Sequence, residues 1–176
     1  MSSARLDDFA EFYEDTYQGA YRVALAVTRN PGLAADATQD AYVLAFRRRD
    51  QFRGEGRPEA WLHRIVVNVA IGALRRRPPI VRELDLEAAA GDDLQRRATD
   101  RMTLFAALDQ LAPRHRAAVV LRYYHGYDYA TIAMILATTT TNVGAMLSRS
   151  VERLRTILEP VPAAAVAQPQ EATHGR

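Results

Sequence analysis

The sequence predicts an all-α fold, with two small helical domains joined by a flexible linker and a helix-turn-helix in the C-terminal domain. Apolar residues recur at the three- and four-residue spacing of a buried helix face over most of the chain. No stretch of useful length alternates apolar and polar residues as a half-buried strand does. An acidic, alanine-rich stretch separates two regions of helical pattern. We therefore expect an N-terminal domain at 1–79, a linker at 80–99, a C-terminal domain at 100–159 and a disordered tail at 160–176.

The first two predicted helices of the N-terminal domain are amphipathic. The first carries five aromatic residues at helical spacing: Phe9, Phe12, Tyr13, Tyr17 and Tyr21. A turn at 29–32, rich in Asn, Pro and Gly, follows it. The second helix is expected from about Leu33 to Arg49, and its buried face carries Ala37, Ala41 and Leu44.

The third predicted helix begins at Pro58, because proline suits the first helical position, and ends near Arg77, before two more prolines. One face is apolar and is expected in the core: Leu62, Ile65, Val66, Val69 and Ala73. A neighbouring stripe combines an indole, an amide and two guanidinium groups: Trp61, Arg64, Asn68, Ile71 and Arg75. Such a stripe can stack on and read an unpaired base. The alternative is a core tryptophan beside a solvated asparagine, and this helix alone leaves both interpretations open.

The helical pattern resumes near Thr99, with one stripe of Met102, Phe105, Ala106 and Leu108, and Pro113 begins the next helix. A short helix with Ile132, Ala133 and Leu136 on one face then leads into four threonines, 138–141, which supply turn and N-cap hydroxyls. A longer helix follows, and its expected buried stripe is Val143, Leu147, Val151, Leu154 and Leu158. Its expected outward face carries Asn142, Met146, Arg149 and Arg153. This order is typical of a helix-turn-helix that places its second helix in the DNA major groove.

Charge is concentrated locally, although the formal net charge of the 176-residue chain is only +2. Residues 47–77 carry a net charge of +6 and residues 112–176 carry +3. By contrast, residues 1–46 carry −4 and residues 78–111 carry −3. The alternation indicates two separate contacts with a polyanion.

Several classes of protein are disfavoured by the sequence. The chain has no cysteine, and its first residues contain no apolar run, so we expect no thiol chemistry, no signal peptide and no membrane insertion. The four histidines lack ligand spacing, and no phosphate loop, nucleophile elbow or catalytic carboxylate pair occurs. We therefore expect a cytoplasmic protein that is not an enzyme and uses no metal or cofactor.

Two stretches carry motifs of a known family. Residues 34–77 supply its pattern through Asp36, Gln39, Asp40, Tyr42, Phe52-Arg53-Gly54, Trp61-Leu62-His63-Arg64-Ile65 and Asn68. Residues 108–136, LDQLAPRHRAAVVLRYYHGYDYATIAMIL, supply the second pattern. In this order the motifs resemble those of bacterial sigma factors of the extracytoplasmic-function (ECF) group, within the sigma-70-like family.

The resemblance implies a function and a set of partners. It implies a subunit that directs core RNA polymerase to specific promoters and melts their minus-10 element. Expected partners are the β′ clamp helices and β flap of the polymerase, promoter DNA and an anti-sigma factor. The face expected to dock on the clamp helices, which alone would be a solvated face, is Asp36, Gln39, Asp40, Val43 and Arg47.

The resemblance also implies two DNA-binding sets. The minus-10 set is Arg53, Arg57, Trp61, Arg64, Asn68, Arg75 and Arg76, with Asn68 near the pocket for a flipped base. The minus-35 set is Arg122, Thr141, Asn142, Ala145, Met146, Arg149 and Arg153. The chain departs from the family where cations are usual, at Gly144 and Met146, and Thr131 replaces a usual Glu. We therefore expect an unusual or weakly read minus-35 element, or help from a partner protein.

Two other functions fit parts of the sequence. A stand-alone helix-turn-helix regulator would use the C-terminal domain but leave the Asp36 face idle. A polymerase-binding adaptor with weakened C-terminal DNA binding would explain the loss of cations at 144 and 146.

Overall fold

The computed structural model describes residues 8–52, 54, 56–76 and 106–158. Its helices are α1 (Phe9–Thr28), α2 (Pro31–Arg47), α3 (Pro58–Arg76), α4 (Pro113–Tyr123), α5 (Tyr129–Leu136) and α6 (Thr140–Leu158), with a 3-10 turn at Arg49–Gln51. No strand occurs within these ranges, and the predicted all-α fold is confirmed. The predicted linker and tail, and the predicted core residues Met102 and Phe105, lie outside the described residues.

Side-chain caps set the bounds of α1 and α2. The Asp8 carboxylate accepts a hydrogen bond from the Glu11 amide at 3.1 Å, and Arg29 ends α1 in the left-handed region at φ 55°. The Asn30 side chain then accepts from the Leu33 amide at 2.8 Å, with Pro31 at the first helical position. This cap starts α2 two residues earlier than the sequence predicted, and the helix also ends two residues earlier, at Arg47.

The N-terminal module, residues 8–76, is a bundle of α1, α2 and α3. Helix α2 approaches its neighbours closely because its buried face is made mostly of small residues: Ala34, Ala37, Thr38, Ala41, Tyr42 and Ala45. The Tyr42 hydroxyl lies 2.7 Å from Thr16 Oγ1, and burial raises the pKa of Tyr42 to about 12. Leu44, which was predicted on this buried face, is only half-buried.

The C-terminal module, residues 106–158, contains the predicted helix-turn-helix. Helices α5 and α6 meet at 97°, and Ala137 ends α5 in the left-handed region at φ 48°. As predicted, threonine hydroxyls cap α6, since Thr139 Oγ1 accepts from the Asn142 amide at 3.1 Å. Within the described ranges no single helix is long and apolar enough to span a membrane, and α5 and α6 pass that test only as a bent pair.

The buried stripe of α6 is shorter than predicted. Val143, Met146, Leu147 and Ser150 are buried, whereas Val151 and Leu158 are exposed and Leu154 is half-buried. Helix α6 has 19 residues, but its partners α4 and α5 have only 11 and 8, so they cover only part of it. A smaller correction concerns Ala106, which is exposed while Ala107 and Leu108 are buried.

The two modules share one hydrophobic core, because α1 packs against α4 and α3 packs against α5. Arg116, only 2 % exposed, crosses this contact. Its guanidinium group donates to the carbonyl oxygens of Ala26 and Val27 at 2.8 and 2.7 Å, at the end of α1. Helix α1 has no basic residue in its last turn, so the other module supplies the cation that complements its dipole.

An ion pair reinforces the same contact. Arg29 Nε lies 2.7 Å from Asp109 Oδ1, and a second guanidinium nitrogen donates to Oδ2 at 3.2 Å. The bidentate geometry and the burial of the Arg29 side chain make this pair stronger than an exposed one. The described structure is therefore a closed arrangement, in which the N-terminal and C-terminal modules contact each other.

Candidate nucleic-acid interface

The face of α2 predicted to contact polymerase is on the surface. Asp36, Gln39, Asp40, Val43 and Arg47 are all exposed. Next to Val43, which is 49 % exposed, Phe46 is 50 % exposed with the Arg49 guanidinium 4.5 Å from its ring centroid. The sequence reasoning missed Phe46, although an exposed phenylalanine three residues after Val43 extends the same apolar strip. Apolar residues ringed by charges are typical of a protein-binding surface.

The predicted base-reading stripe of α3 is also accessible. Arg64, Asn68, Arg75 and Arg76 are exposed, and Ile71 is half-buried. Trp61 is half-buried because its indole packs against Phe52, with ring centroids 5.6 Å apart. A tryptophan held on one side and open on the other is suited to stacking on a base.

Two other members of the predicted minus-10 set have different positions. Arg53 lies outside the described residues. Arg57 is exposed at the start of α3, with its Nε 3.8 Å from Glu59 Oε2 and its guanidinium carbon 5.3 Å from the centroid of Tyr127 in the other module. In the closed arrangement Arg57 is thus part of the contact between modules.

A cleft joins the predicted polymerase-binding and base-reading surfaces. It measures about 440 Å³ and is lined by Asp40, Val43, Leu44, Arg47, Asn68, Val69, Gly72 and Arg76. Gly72 opens the wall of α3, because no atom lies within 4 Å of the place where its Cβ would be. The amide of Asn68 and two guanidinium groups therefore line one concave surface beside a carboxylate.

Helix α3 is buried on two sides, which the sequence reasoning did not predict. Leu62 and Val66 are buried as expected, but Ile65, Val69 and Ala73 are only half-buried. His63, Val67 and Ala70 are buried in addition. These three residues have helical spacing, so the sequence contained a second buried stripe. It was missed because histidine is not counted as an apolar residue.

The predicted recognition helix, α6, presents fewer side chains than the sequence indicated. Thr141, Asn142, Arg149 and Arg153 are exposed, and Ala145 is half-buried. The prediction that Met146 faces outward is wrong, because Met146 is only 6 % exposed and belongs to the shared core. Its spacing from Val143 and Ser150 places it on the inner stripe of the helix.

Gly144, where the family usually has a cation, lies beside Tyr129 at the start of α6. A Cβ at this position would lie 3.5 Å from Cε2 of the Tyr129 ring, which is an ordinary van der Waals contact. The structure therefore has room for a small side chain here, and the ring of Tyr129 is the neighbour that it would meet.

Arg122 is held beside the same tyrosine. Its guanidinium group donates to the Tyr127 carbonyl oxygen at 2.9 Å and lies 5.4 Å from the centroid of Tyr129. Asp128 caps α5 by accepting from the Thr131 amide at 2.7 Å, and this hydrogen bond holds the pKa of Asp128 below its usual value, with a smaller effect from Arg122. Arg122 is thus held near the start of α5, beside the tyrosine ring that also lies next to Gly144 of α6.

A second cleft, of about 700 Å³, lies between the modules. Arg75 from α3 and Asn142 and Arg149 from α6 line it, together with Arg114 and His115. Residues predicted to read two different promoter elements therefore face one basic cleft in the closed arrangement.

An all-α fold with a helix-turn-helix and exposed arginines on its helices is typical of a helical DNA-binding protein. The family of sigma-70 region 2 matches residues 12–78, and that of sigma-70 region 4 matches residues 101–154. The chain is 31 % identical over 152 residues to the ECF RNA polymerase sigma factor SigM of Mycobacterium tuberculosis, covering 85 % of this chain and 76 % of the relative. The chain belongs to the ECF group of RNA polymerase sigma factors.

Other comparisons agree with this family. The chain is 30 % identical over 163 residues to SigE of Mycolicibacterium smegmatis, which covers 88 % of this chain but only 63 % of the length of that relative. The fold is similar to that of the sigma factor RpoE of Bartonella quintana, solved with the anti-sigma factor NepR. That likeness has a TM-score of 0.70 at 20 % identity, and covers 86 % of this chain and 96 % of the other.

Proposed function

We propose that this sigma factor docks on the β′ clamp helices of core RNA polymerase through the exposed face of α2. The strip of Val43 and Phe46 supplies apolar area, while Asp36, Asp40 and Arg47 supply charges that fix its register. The observation that carries this proposal is the cleft in which this face meets the base-reading stripe of α3. A strand held there would contact both the docking helix and the reading helix.

We propose that α3 captures the melted minus-10 strand. Extruding a base costs a few kcal/mol, and stacking on an aromatic side chain returns about 1–3 kcal/mol per base. Trp61 supplies the stacking surface, Asn68 supplies an amide for the base edge, and the exposed arginines Arg64, Arg75 and Arg76 neutralise phosphates. Promoter melting by this route needs binding energy alone, so the proposed role is that of a non-enzymatic subunit.

Minus-35 recognition is proposed for α6, through Asn142, Arg149 and Arg153, with Arg122 on a phosphate. Gly144 has no side chain and Met146 is buried, so α6 lacks a cation at both positions where the family usually has one. These two observations favour a weakly read minus-35 element. They also support the second candidate function, a polymerase-bound adaptor whose C-terminal module hardly reads DNA.

We propose that the closed arrangement opens before both promoter elements are bound. Elements about 25 base pairs apart lie roughly 85 Å apart along B-form DNA. A compact body of about 150 residues has a radius of gyration of only about 15 Å. The contact between α1 and α4 must therefore part when each module sits on its own element.

The proposed partners follow from this arrangement. Core polymerase would engage α2 of the open form and, through the β flap, the C-terminal module, whereas an anti-sigma factor would hold the closed form. The proposed location is the cytoplasm, where the nucleoid and polymerase are.

Run-off transcription with purified core polymerase tests this function. Adding the chain should produce transcripts from a duplex promoter found by mapping transcription starts after overexpression. The triple variant Asp36→Ala/Asp40→Ala/Val43→Ala should lose binding to core polymerase while its helical content remains. If the wild-type chain bound polymerase but needed a pre-melted promoter, the adaptor function would replace the sigma function.

A further inference from the structure

A cluster of two histidines and a tyrosine lies in the contact between the modules. His63 of α3 is only 2 % exposed, and its Nδ1 lies 3.1 Å from the Tyr127 hydroxyl of the other module. The rings of His63 and His125 have centroids 4.3 Å apart, and those of His125 and Tyr127 are stacked with centroids 5.7 Å apart. The cluster therefore spans the contact and exists only while the modules are together.

The cluster is enclosed by cations. Arg57, at the start of α3, lies over the Tyr127 ring, and Arg22 of α1 lies 4.8 Å from the centroid of Tyr124. The nearby carboxylate is Glu59, which pairs with Arg57. Both arginines stay charged at every pH at which histidine titrates. A proton added to His125 would thus meet the charges of Arg57 and Arg22, and one added to His63 would meet the charge of Arg57.

Gly19 closes the remaining side. Its missing Cβ would lie only 3.1 Å from Cε1 of His125, and its backbone bonds the His125 ring. Water has little room beside the His63 ring in this packing. A protonated imidazole there would lose its hydration without gaining an anion, which is the costly case of a buried charge.

We propose that the cluster of His63, His125 and Tyr127 is an acid-sensitive latch, whose protonation separates the two modules. The consequence for promoter binding rests on the proposed sigma function, but the latch itself is a property of the chain. The ligand of this site is a proton, and its binding moves the N-terminal and C-terminal modules apart.

The sign of the effect follows from linkage. Burial, followed by His125 and Arg57, lowers the pKa of His63 to about 3, and burial with Arg57 and Arg22 also lowers the pKa of His125. In the open chain each histidine regains an ordinary pKa of about 6.5. The closed form is therefore fully favoured above pH 6.5 and loses ground as the pH falls below it. Between pH 7.5 and 5.5 the open-to-closed ratio should rise about 10-fold for one histidine and up to about 100-fold for two.

Energy transfer between labels on the two modules tests the latch. The chain contains no cysteine, so Glu14→Cys on α1 and Ser148→Cys on α6 give a unique labelled pair on exposed positions. An added Asp109→Asn change weakens the ion pair with Arg29 and brings the open form into the measurable range. Transfer should fall reversibly between pH 7.5 and 5.5 while helical content by circular dichroism stays constant.

Matched variants test whether His63 and His125 cause the pH dependence of the energy transfer. His63→Gln/His125→Gln should abolish most of the pH dependence, and His125→Gln alone, at a less buried position, should halve its slope if the double variant does not fold. His115→Gln is the control, since His115 bonds Ser150 within its own module and its loss should leave the pH dependence intact. Unchanged transfer in the parent chain down to pH 5.5, or an equal fall in the His125→Gln variant, would overturn the latch. Neither result bears on whether the chain directs polymerase to promoters.

Discussion

Helix α3, which carries the proposed reading surface, and α6, the proposed recognition helix, both have 19 residues, yet the fold buries different parts of them. Helix α3 is packed on two sides and still keeps its whole predicted reading stripe accessible. In α6, Met146 is buried in the core and Gly144 lies beside Tyr129. The first turns of this helix therefore present the amide of Asn142 but no cation. From this difference we expect promoter selectivity to depend more on the N-terminal module than on α6.

The largest expected effect tests whether the modules depend on each other. Arg116→Ala should lower the free energy of unfolding by about 3 kcal/mol or more, because the carbonyl groups of Ala26 and Val27 lose charge-assisted hydrogen bonds in a buried place. Urea denaturation measures the change. Arg153→Ala, on the exposed face of α6, is the control and should change stability by less than about 0.5 kcal/mol. A loss below about 1 kcal/mol for Arg116→Ala would show that the modules are nearly independent.

Asn68→Ala tests the reading surface of α3. Loss of an amide that reads an unpaired base should reduce run-off transcription from a duplex promoter by about 10- to 100-fold. The side chain is exposed, so stability should be unaffected. Gln18→Ala, which removes an exposed amide from α1, should transcribe as the parent chain does. Equal activity of the two variants would remove Asn68 from the reading surface.

Arg149→Ala tests the contribution of α6. If Arg149 touches one phosphate, the slope of log affinity against log salt should become shallower by about 1, and affinity should fall a few-fold. Fluorescence anisotropy with holoenzyme and a labelled promoter fragment measures both. Ser148→Ala, also exposed on α6, serves as the matched control. An unchanged slope would favour the adaptor function for the C-terminal module.

The smallest expected effect is the loss of stability on removing either of two helix caps, one in each module. Asn30→Ala in α2 and Thr139→Ala in α6 each remove a side-chain acceptor and should cost about 1 kcal/mol. Because the modules share a core, both variants should shift one common thermal transition. Calorimetry that resolves two transitions, each moved by only one of the variants, would contradict the shared core.

The comparison also shows what sequence patterns can and cannot predict. The all-α class, the threonine cap of α6 and the exposed faces of α2 and α3 followed from local spacing and turn chemistry, whereas the cap at Asn30 was not predicted. The burial of His63 and Met146 did not, because each depends on contacts made by elements distant in the chain. A pattern read one helix at a time gives the first buried face, but a second face appears only when the partner helix is known.

The roles of the predicted site residues depend on a binding partner, which local spacing does not describe. Exposure of Asn68 and the nearby arginines agrees with their proposed role, but no spacing rule predicts which base they would touch. The contact between modules was beyond the sequence altogether. Arg116 and Asp109 lie about 80 to 90 positions from their partners at the end of α1 and at its C-cap, and no local signal links such distant residues.

Gly19 lies where a single methyl group would affect both helix α1 and the contact between the modules. An alanine there would favour the helical backbone of α1 by up to about 1 kcal/mol, since glycine is a poor helix former. The same methyl group would press on the His125 ring, which would have to retreat by a few tenths of an ångström. One carbon atom would thus favour the helix and strain the contact between the modules at the same time, with no charge altered.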